Sequence, residues 1–459
     1  MTRSKSGGII SRRTFLQQAA LGIGGAGLGS LLAACGSAPQ ASQNQAATAA
    51  PSDAELVASP VAQSGSGSAT VAFWYWEESA VRPAIDAFEK QHTNIKVRFQ
   101  QNSYADTHKK LLTSLAAGGG APDVCSVGID YVGAFSAKGG LVDLLQPPHD
   151  GGQFKNDMVV YKWTQASTAD GRLIAMPWDI GPAGLWYRTD LFEKAGLDVD
   201  PEKVQARVKR WDDWFQLGED LKKKSPNTAL VADAFTDILG PMIEQQGHGW
   251  FNGNKVVIEE KLAQPLQRAV DARKRGVDAK IDWWGAEWST GVKKDVFAGM
   301  GVACWMQIFL KRDEPQTVGK WRVIHAPEGD FNQGGSFLSL PEQGKHKEAA
   351  WEFVKFICCS VEGQNNVFRT AGFLPSYKPA WKDPLYDQPV DFFGGQKAYR
   401  LWLDIADKVP ANVVNPNDQQ ASDIVNAEIT KVKKEGKAAV AAAKDAEAEV
   451  LKRVKGVTG

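Results

Sequence analysis

A chain of 459 residues is longer than one hydrophobic core usually supports, so two lobes are expected. Lys+Arg and Asp+Glu each number 53, a balance that removes the basic surplus expected of a nucleic-acid binder. A hydrophobic fraction of 43% with 23% charged residues describes an ordinary globular protein, and 16 Trp leave indoles beyond core need that can stack on a ligand.

The first 35 residues read as an address. Arg3, Lys5, Arg12 and Arg13 precede a Gly-rich apolar segment, residues 19–34, which is too short and too weakly hydrophobic for a good spanning helix. Ser11-Arg12-Arg13-Thr14-Phe15-Leu16 resembles the twin-arginine export motif, and Leu32-Ala33-Ala34-Cys35 resembles the lipobox of bacterial lipoproteins. That resemblance implies a mature chain lipidated at Cys35 and held to the cell membrane by its acyl chains. Residues 36–68, rich in Ala, Ser, Gln and Gly, cannot bury enough surface to fold and are expected to be a disordered tether.

The head opens on a β-α-β unit. Residues 69–76 (ATVAFWYW) form a nearly continuous apolar strand, residues 82–91 place Ile85 and Phe88 on one helical face, and residues 95–99 alternate as a second strand. A helix over 104–117 stops at Gly118-Gly119-Gly120, and a third strand from Pro122 ends near Asp130. Open α/β sheets bind ligands beyond the carboxyl ends of their strands, which makes Trp74, Trp76, Glu77 and Asp130 candidates for one wall of a cleft.

Residues 170–198 (DGRLIAMPWDIGPAGLWYRTDLFEKAGLD) hold two strands broken by an elbow at Asp179-Ile180-Gly181-Pro182. Such an elbow suits a chain crossing between lobes, with Trp178 and Asp179 lining the cleft. Helices follow near 190–195, from Trp211, at 241–247 and at 263–275. The patch Asp282-Trp283-Trp284-Gly285-Ala286-Glu287-Trp288 is the densest in indoles, and an apolar strand over 297–307 ends in Trp305 and Gln307. A strand at 321–325 heads back to the first lobe through Pro327, Gly334-Gly335 feeds another strand, 348–358 is an amphipathic helix, Gly372-Phe373-Leu374-Pro375 makes a third crossing, and 428–454 is a final helix or helix pair.

Sugars present C–H patches that pack on aromatic faces and hydroxyls that need partners once water leaves. The candidates are therefore indoles beside polar groups: Trp74 and Trp76 with Glu77, Asp130, Trp178 with Asp179, and Trp305 with Gln307, joined by Trp250, Trp284 and Trp288. Each single indole is more often core packing than platform. Catalysis is the rival class. Adjacent carboxylates such as Glu77-Glu78 and Asp212-Asp213 point apart, which leaves Asp130 and Asp179 as the pair that could face each other in a glycan-degrading enzyme. The six His (His92, His108, His149, His248, His325, His346) lack metal-ligand spacing, and no phosphate loop, nucleophile elbow or dinucleotide fingerprint occurs, so no cofactor or metal is expected. Cys125, Cys304, Cys358 and Cys359 are expected as free thiols, since adjacent Cys on a helix bridge only under strain and a Cys125–Cys304 bridge would lock lobes that must move.

The ordered pieces FWYW, IDAFEKQHTNIKVRF, KLLTSLAAGGGAPDV, GLVDL, the elbow stretch, WDDWFQL, FAGMGVACWM, GGSFLSLPEQGKHKEAAWEFVKFI and GFLPSYKPAW resemble the extracellular solute-binding proteins that feed ATP-driven importers. The likeness is to the carbohydrate-binding group that includes maltose-binding protein. It implies a two-lobed α/β fold of the periplasmic-binding-protein type II, with 69–180 plus 328–372 as one lobe and 181–327 plus 373–459 as the other. It further implies hinge closure on a mono- or oligosaccharide, delivery to ABC permease subunits with a separate ATPase, a monomeric state, and Gly335 and Ser336 facing the cleft. Pro182-Ala183 departs from the polar or basic residue many sugar binders carry there. A quaternary amine, polyamine or peptide is the alternative ligand on the same fold.

Overall fold

The computed structural model describes residues 68–459 except Asn412; the expected signal sequence, Cys35 and the tether lie outside the described residues. Two five-stranded sheets organise the head. The first runs Ile95–Gln101, Ala69–Tyr75, Val124–Gly128, Ser336–Ser339, Met176–Pro177, with the first three parallel and Ser336–Ser339 antiparallel to both its neighbours. The expected β-α-β unit is present, its helix Glu78–Gln91 burying Val81, Ile85 and Phe88. In the second sheet the order is Trp321–Ile324, Pro182–Arg188, Phe297–Ala303, Ala229–Val231, with Phe331–Asn332 also paired to Pro182–Arg188. Every residue of Pro182–Arg188 and of Phe297–Ala303 is buried, as continuous apolar runs require when both faces of a sheet are covered.

Each sheet has its own core. Phe73, Phe88, Val127, Leu338 and Phe353 pack the first. One face of the second carries Leu185, Trp211, Trp214 and Leu230, and the other carries Trp186, Trp321 and Trp402. A small third sheet pairs Asp179–Ile180 with Leu374–Pro375, so two of the passages between lobes are hydrogen-bonded to each other. The remaining passage runs from Asn332 to Ser336. Phe331–Asn332 still belongs to the second sheet, so the return to the first sheet comes at Gln333 to Gly335, later than the Pro327 read from the sequence.

Local corrections follow from where strands end. Val124–Gly128 stops at Gly128, and Asp130 lies in the first turn of helix Ile129–Lys138. The apolar run at 297–307 is a strand only to Ala303; Gln307 belongs to helix Met306–Asp313. The helix expected at 263–275 begins earlier, as Ile258–Lys274. The C-terminal region is a pair, Asp418–Glu435 and Ala439–Arg453, whose small buried faces (Ala442, Ala443, Ala446) let it pack closely on Ile258–Lys274. All four described Cys are free and buried. No helix among the described residues is long and apolar enough to cross a membrane.

Candidate functional site

The first lobe builds an aromatic wall from the residues that follow its strands. Ser103 caps helix Tyr104–Ala117 by accepting from Asp106 N, which places Tyr104 at the helix start beside the end of strand Ala69–Tyr75. One turn on, His108 is fully buried; its Nδ1 lies 2.7 Å from Tyr104 O, and Gly128 N donates to Nε2 at 2.8 Å. An accepting Nε2 fixes the neutral tautomer with the proton on Nδ1, and burial lowers the imidazole pKa to about 4. The His108 ring stacks on Tyr131 at 3.9 Å, and Trp76 stands edge-on to Tyr104 at 4.8 Å. A Cβ at Gly128 would fall 1.9 Å from the Tyr104 hydroxyl, so glycine there lets the phenol reach Asp130, to whose Oδ2 it donates at 3.2 Å.

Across from this wall stand groups of the second lobe. His248 lies 3.1 Å from Glu244 Oε1; burial opposes its charge, but Glu244, Asp418 and Asp130 outweigh burial and lift its pKa to about 9. A protonated His248 paired with Glu244 therefore also attracts the Asp130 carboxylate of the other lobe. Asp130 itself is open to solvent, yet the protein enclosing that space raises its carboxyl, with His248 acting in the opposite direction. Arg312, paired with Asp313 at 2.9 Å, also feels Glu77 of the first lobe. The lobes touch here: a Cβ on Gly133 would lie 2.7 Å from Asn415 O.

Trp305 follows strand Phe297–Ala303 and is half-buried, its Nε1 donating to Gln333 O at 2.8 Å. Trp284 lies nearly parallel to it, 6.1 Å away at 21°, and Phe309 meets both rings edge-on. At the crossings, Asp179 Oδ1 accepts from Ser336 N at 2.9 Å and from the Ser336 hydroxyl, so these two expected ligand contacts hold each other. Gly335 lies between them in the left-handed region, φ 92°.

Three groupings emerge from the expected residues: Trp76 with Asp130, Trp284 with Trp305, and Asp179 with Gly335 and Ser336. Strand alternation puts Trp74 on the same face as Trp76, also half-buried, while Glu77 accepts from the Ser79 hydroxyl at 2.5 Å. Others are turned inward. Trp178 is 1% exposed, edge-on to Tyr75 at 5.0 Å in the first core, and Gln307 is 2% exposed. Trp250 is buried with its Nε1 on Ser422 Oγ, tying helix Asp418–Glu435 down, and Trp288 is buried near Phe297. Tyr104, His108, Tyr131, His248 and Phe309 were missed. The available signal for the first three was position: a Ser-capped helix start and a Gly–helix junction, both directly after strand ends. Among the described residues no His, Cys, Asp and Glu cluster could hold a metal ion.

The family profile described as bacterial extracellular solute-binding protein matches residues 74–357. A lactose-binding protein of Rhizobium radiobacter is 25% identical over 74% of this chain and 83% of its own length. The arabinooligosaccharide-binding protein of Bacillus subtilis strain 168 is 25% identical over 79% of this chain and 86% of its own. A crystal structure of an extracellular solute-binding protein family 1 member superposes with a TM-score of 0.76 at 26% identity, covering 84% of this chain and 99% of the other. The galacto-N-biose-/lacto-N-biose I-binding protein of a Bifidobacterium longum ABC transporter, solved with lacto-N-biose, shares the fold at TM-score 0.68 and 18% identity, over 86% of this chain and 98% of its own.

Proposed function

The chain belongs to the bacterial extracellular solute-binding protein family, and from that premise we propose that it captures a mono- or oligosaccharide between its lobes and delivers it to an ABC permease driven by a separate ATPase. The observation that carries this reading is the pairing of rings with hydrogen-bonding groups on both sides of one space. Trp76, Tyr104 and Tyr131 stand with Asp130 on one lobe; on the other, His248 beside Glu244 feels the Asp130 charge, and Arg312, over the Phe309 ring that meets Trp284 and Trp305, feels the Glu77 charge. Rings take the C–H faces of a pyranose, and the polar groups satisfy hydroxyls that lose water when the lobes close. Closure is a population shift: the ligand favours the lobes-in-contact form by its difference in affinity for the two forms.

Lactose- and arabinooligosaccharide-binding relatives support a carbohydrate over other solutes. Several expected residues move to the background of the site: Trp178, Trp250, Trp288 and Gln307 act from within the lobes, and Asp179 and Ser336 act at the crossings. Export by the twin-arginine route and lipidation at Cys35 complete the reading, placing a tethered monomeric head outside the membrane.

A thermal-shift panel of lactose, arabino-oligosaccharides, maltose, betaine, choline and spermidine tests it. A ligand at a hundred times its Kd adds about 2.7 kcal/mol to stability. We expect a saccharide to raise the melting temperature; a response only to the amines would replace the sugar with a cation in an aromatic cage, and released reducing ends would make the protein an enzyme.

A further inference from the structure

Helix Val160–Ala166 stands behind all three passages between the lobes. At its start Val159 N donates to Ser376 O beyond the third passage, at 2.9 Å. The Tyr161 hydroxyl donates to Asn332 Oδ1 at 2.7 Å, and Gly181 N donates to that same oxygen at 3.0 Å, which pins the other two passages to one side chain. Next along is Lys162, wholly buried, whose Nζ has no hydrogen-bond partner. That amine sits 3.4 Å from the centroid of the Phe337 ring, under the Gly334-Gly335 turn: a Cβ on Gly335 would lie 2.9 Å from Nζ and 2.8 Å from Asp179 O.

A buried amine without an acceptor is costly, so an arrangement of the same elements that gives it a carboxylate partner gains from the pairing. The charge it senses is Asp179, whose Oδ1 is taken by Ser336. The other titratable groups that sense Asp179 from the elements around it, Tyr75, Tyr104, Tyr161, Cys304 and Cys358, are all pushed upward by burial and stay neutral. Resting on the closure reading above, we propose that Lys162 is a positioning residue of the hinge. With the lobes in contact Ser336 holds Asp179 and the amine is unpaired; on opening, Ser336 lets go and Asp179 pairs with Lys162 instead.

The sign of the pH dependence follows. Burial lowers the Lys162 pKa to about 7 in the lobes-in-contact form, whereas a paired or hydrated amine keeps its charge to its ordinary value of 10.5. The penalty on the contact form is complete below pH 7 and is relieved as pH rises from there, by up to tenfold in the open–closed ratio per unit for one linked proton. His248 titrates near pH 9 in the opposite sense, because its loss of charge weakens the pull on Asp130.

The test uses ligand-free protein, so its outcome is independent of which solute binds, and a His248→Gln background to remove the opposing titration. Small-angle scattering should show the radius of gyration of that protein falling between pH 7 and pH 10, and Lys162→Met in the same background should be compact at both. Constant dimensions in the His248→Gln protein, or an equal fall with Lys162→Met, would overturn the proposal. Ser336→Ala provides a second arm that leaves the buried amine in place: freeing Asp179 for Lys162 should expand the protein at pH 7, and unchanged dimensions there would count equally against it.

Discussion

Trp186 and Trp402 meet Phe393 on one face of the second sheet and Trp321 meets Trp186, all three indoles fully buried and none of their N–H groups with a hydrogen-bond partner. Trp284, Trp305 and Phe309 lie in the same lobe, half-buried at the carboxyl end of strand Phe297–Ala303, and Trp305 Nε1 is bonded to the Gln333 carbonyl of a crossing segment. The same ring is used for volume in the first cluster, where the loss of an N–H bond is outweighed by area removed from water, and for an oriented face in the second. An indole count therefore does not locate a site; the position of each ring relative to strand ends, and whether its polar edge is fixed, does.

The strongest way to break this contrast is Trp402→Ala. Removing a fully buried indole should cost about 3–5 kcal/mol, read as a drop in denaturant midpoint, and a loss near zero would place Trp402 outside the core. Next comes acid. His108 is neutral in the folded protein with a pKa near 4 against an unfolded 6.5, so the stability held above pH 6.5 is lost as pH falls to about 4. The loss should approach about 3 kcal/mol, and His108→Gln should flatten that part of the profile. Trp305→Ala sharpens the comparison from the other side: saccharide affinity should fall at least about tenfold, or about 1.4 kcal/mol, with less loss of stability than Trp402→Ala. Smallest is Tyr104→Phe, which keeps the ring and removes the hydroxyl on Asp130, at about 1 kcal/mol of binding.

The class of fold was legible because it is written in periodicity: Phe297–Ala303 is an apolar run buried on both faces, Ala69–Tyr75 is one buried on one face and half-covered on the other, and the β-α-β spacing at the start admits few arrangements. The elbow at Asp179 was legible as a break in an apolar run. The inner workings of the site were less so. Asp130 could be placed at a strand end, but the network of Tyr104, His108 and Gly128 that orients it depends on which helix packs beside which strand, and that long-range contact has no local signature. Trp178 illustrates the converse. It adjoins the elbow in sequence, yet its backbone N–H donates to Ser336 O of the first sheet and its ring turns into the first core. Lys162 was invisible in sequence because a lysine in an amphipathic helix ordinarily reaches water, whereas this one is buried against the Phe337 ring and under the Gly334-Gly335 turn.

Closure over a saccharide is most directly tested by small-angle scattering of the protein with and without the sugar that stabilises it most. A saturating ligand should shorten the radius of gyration, and Trp305→Ala should need at least about ten times more sugar to reach the same value. A saturated protein whose dimensions match those of the free one would contradict capture between two moving lobes.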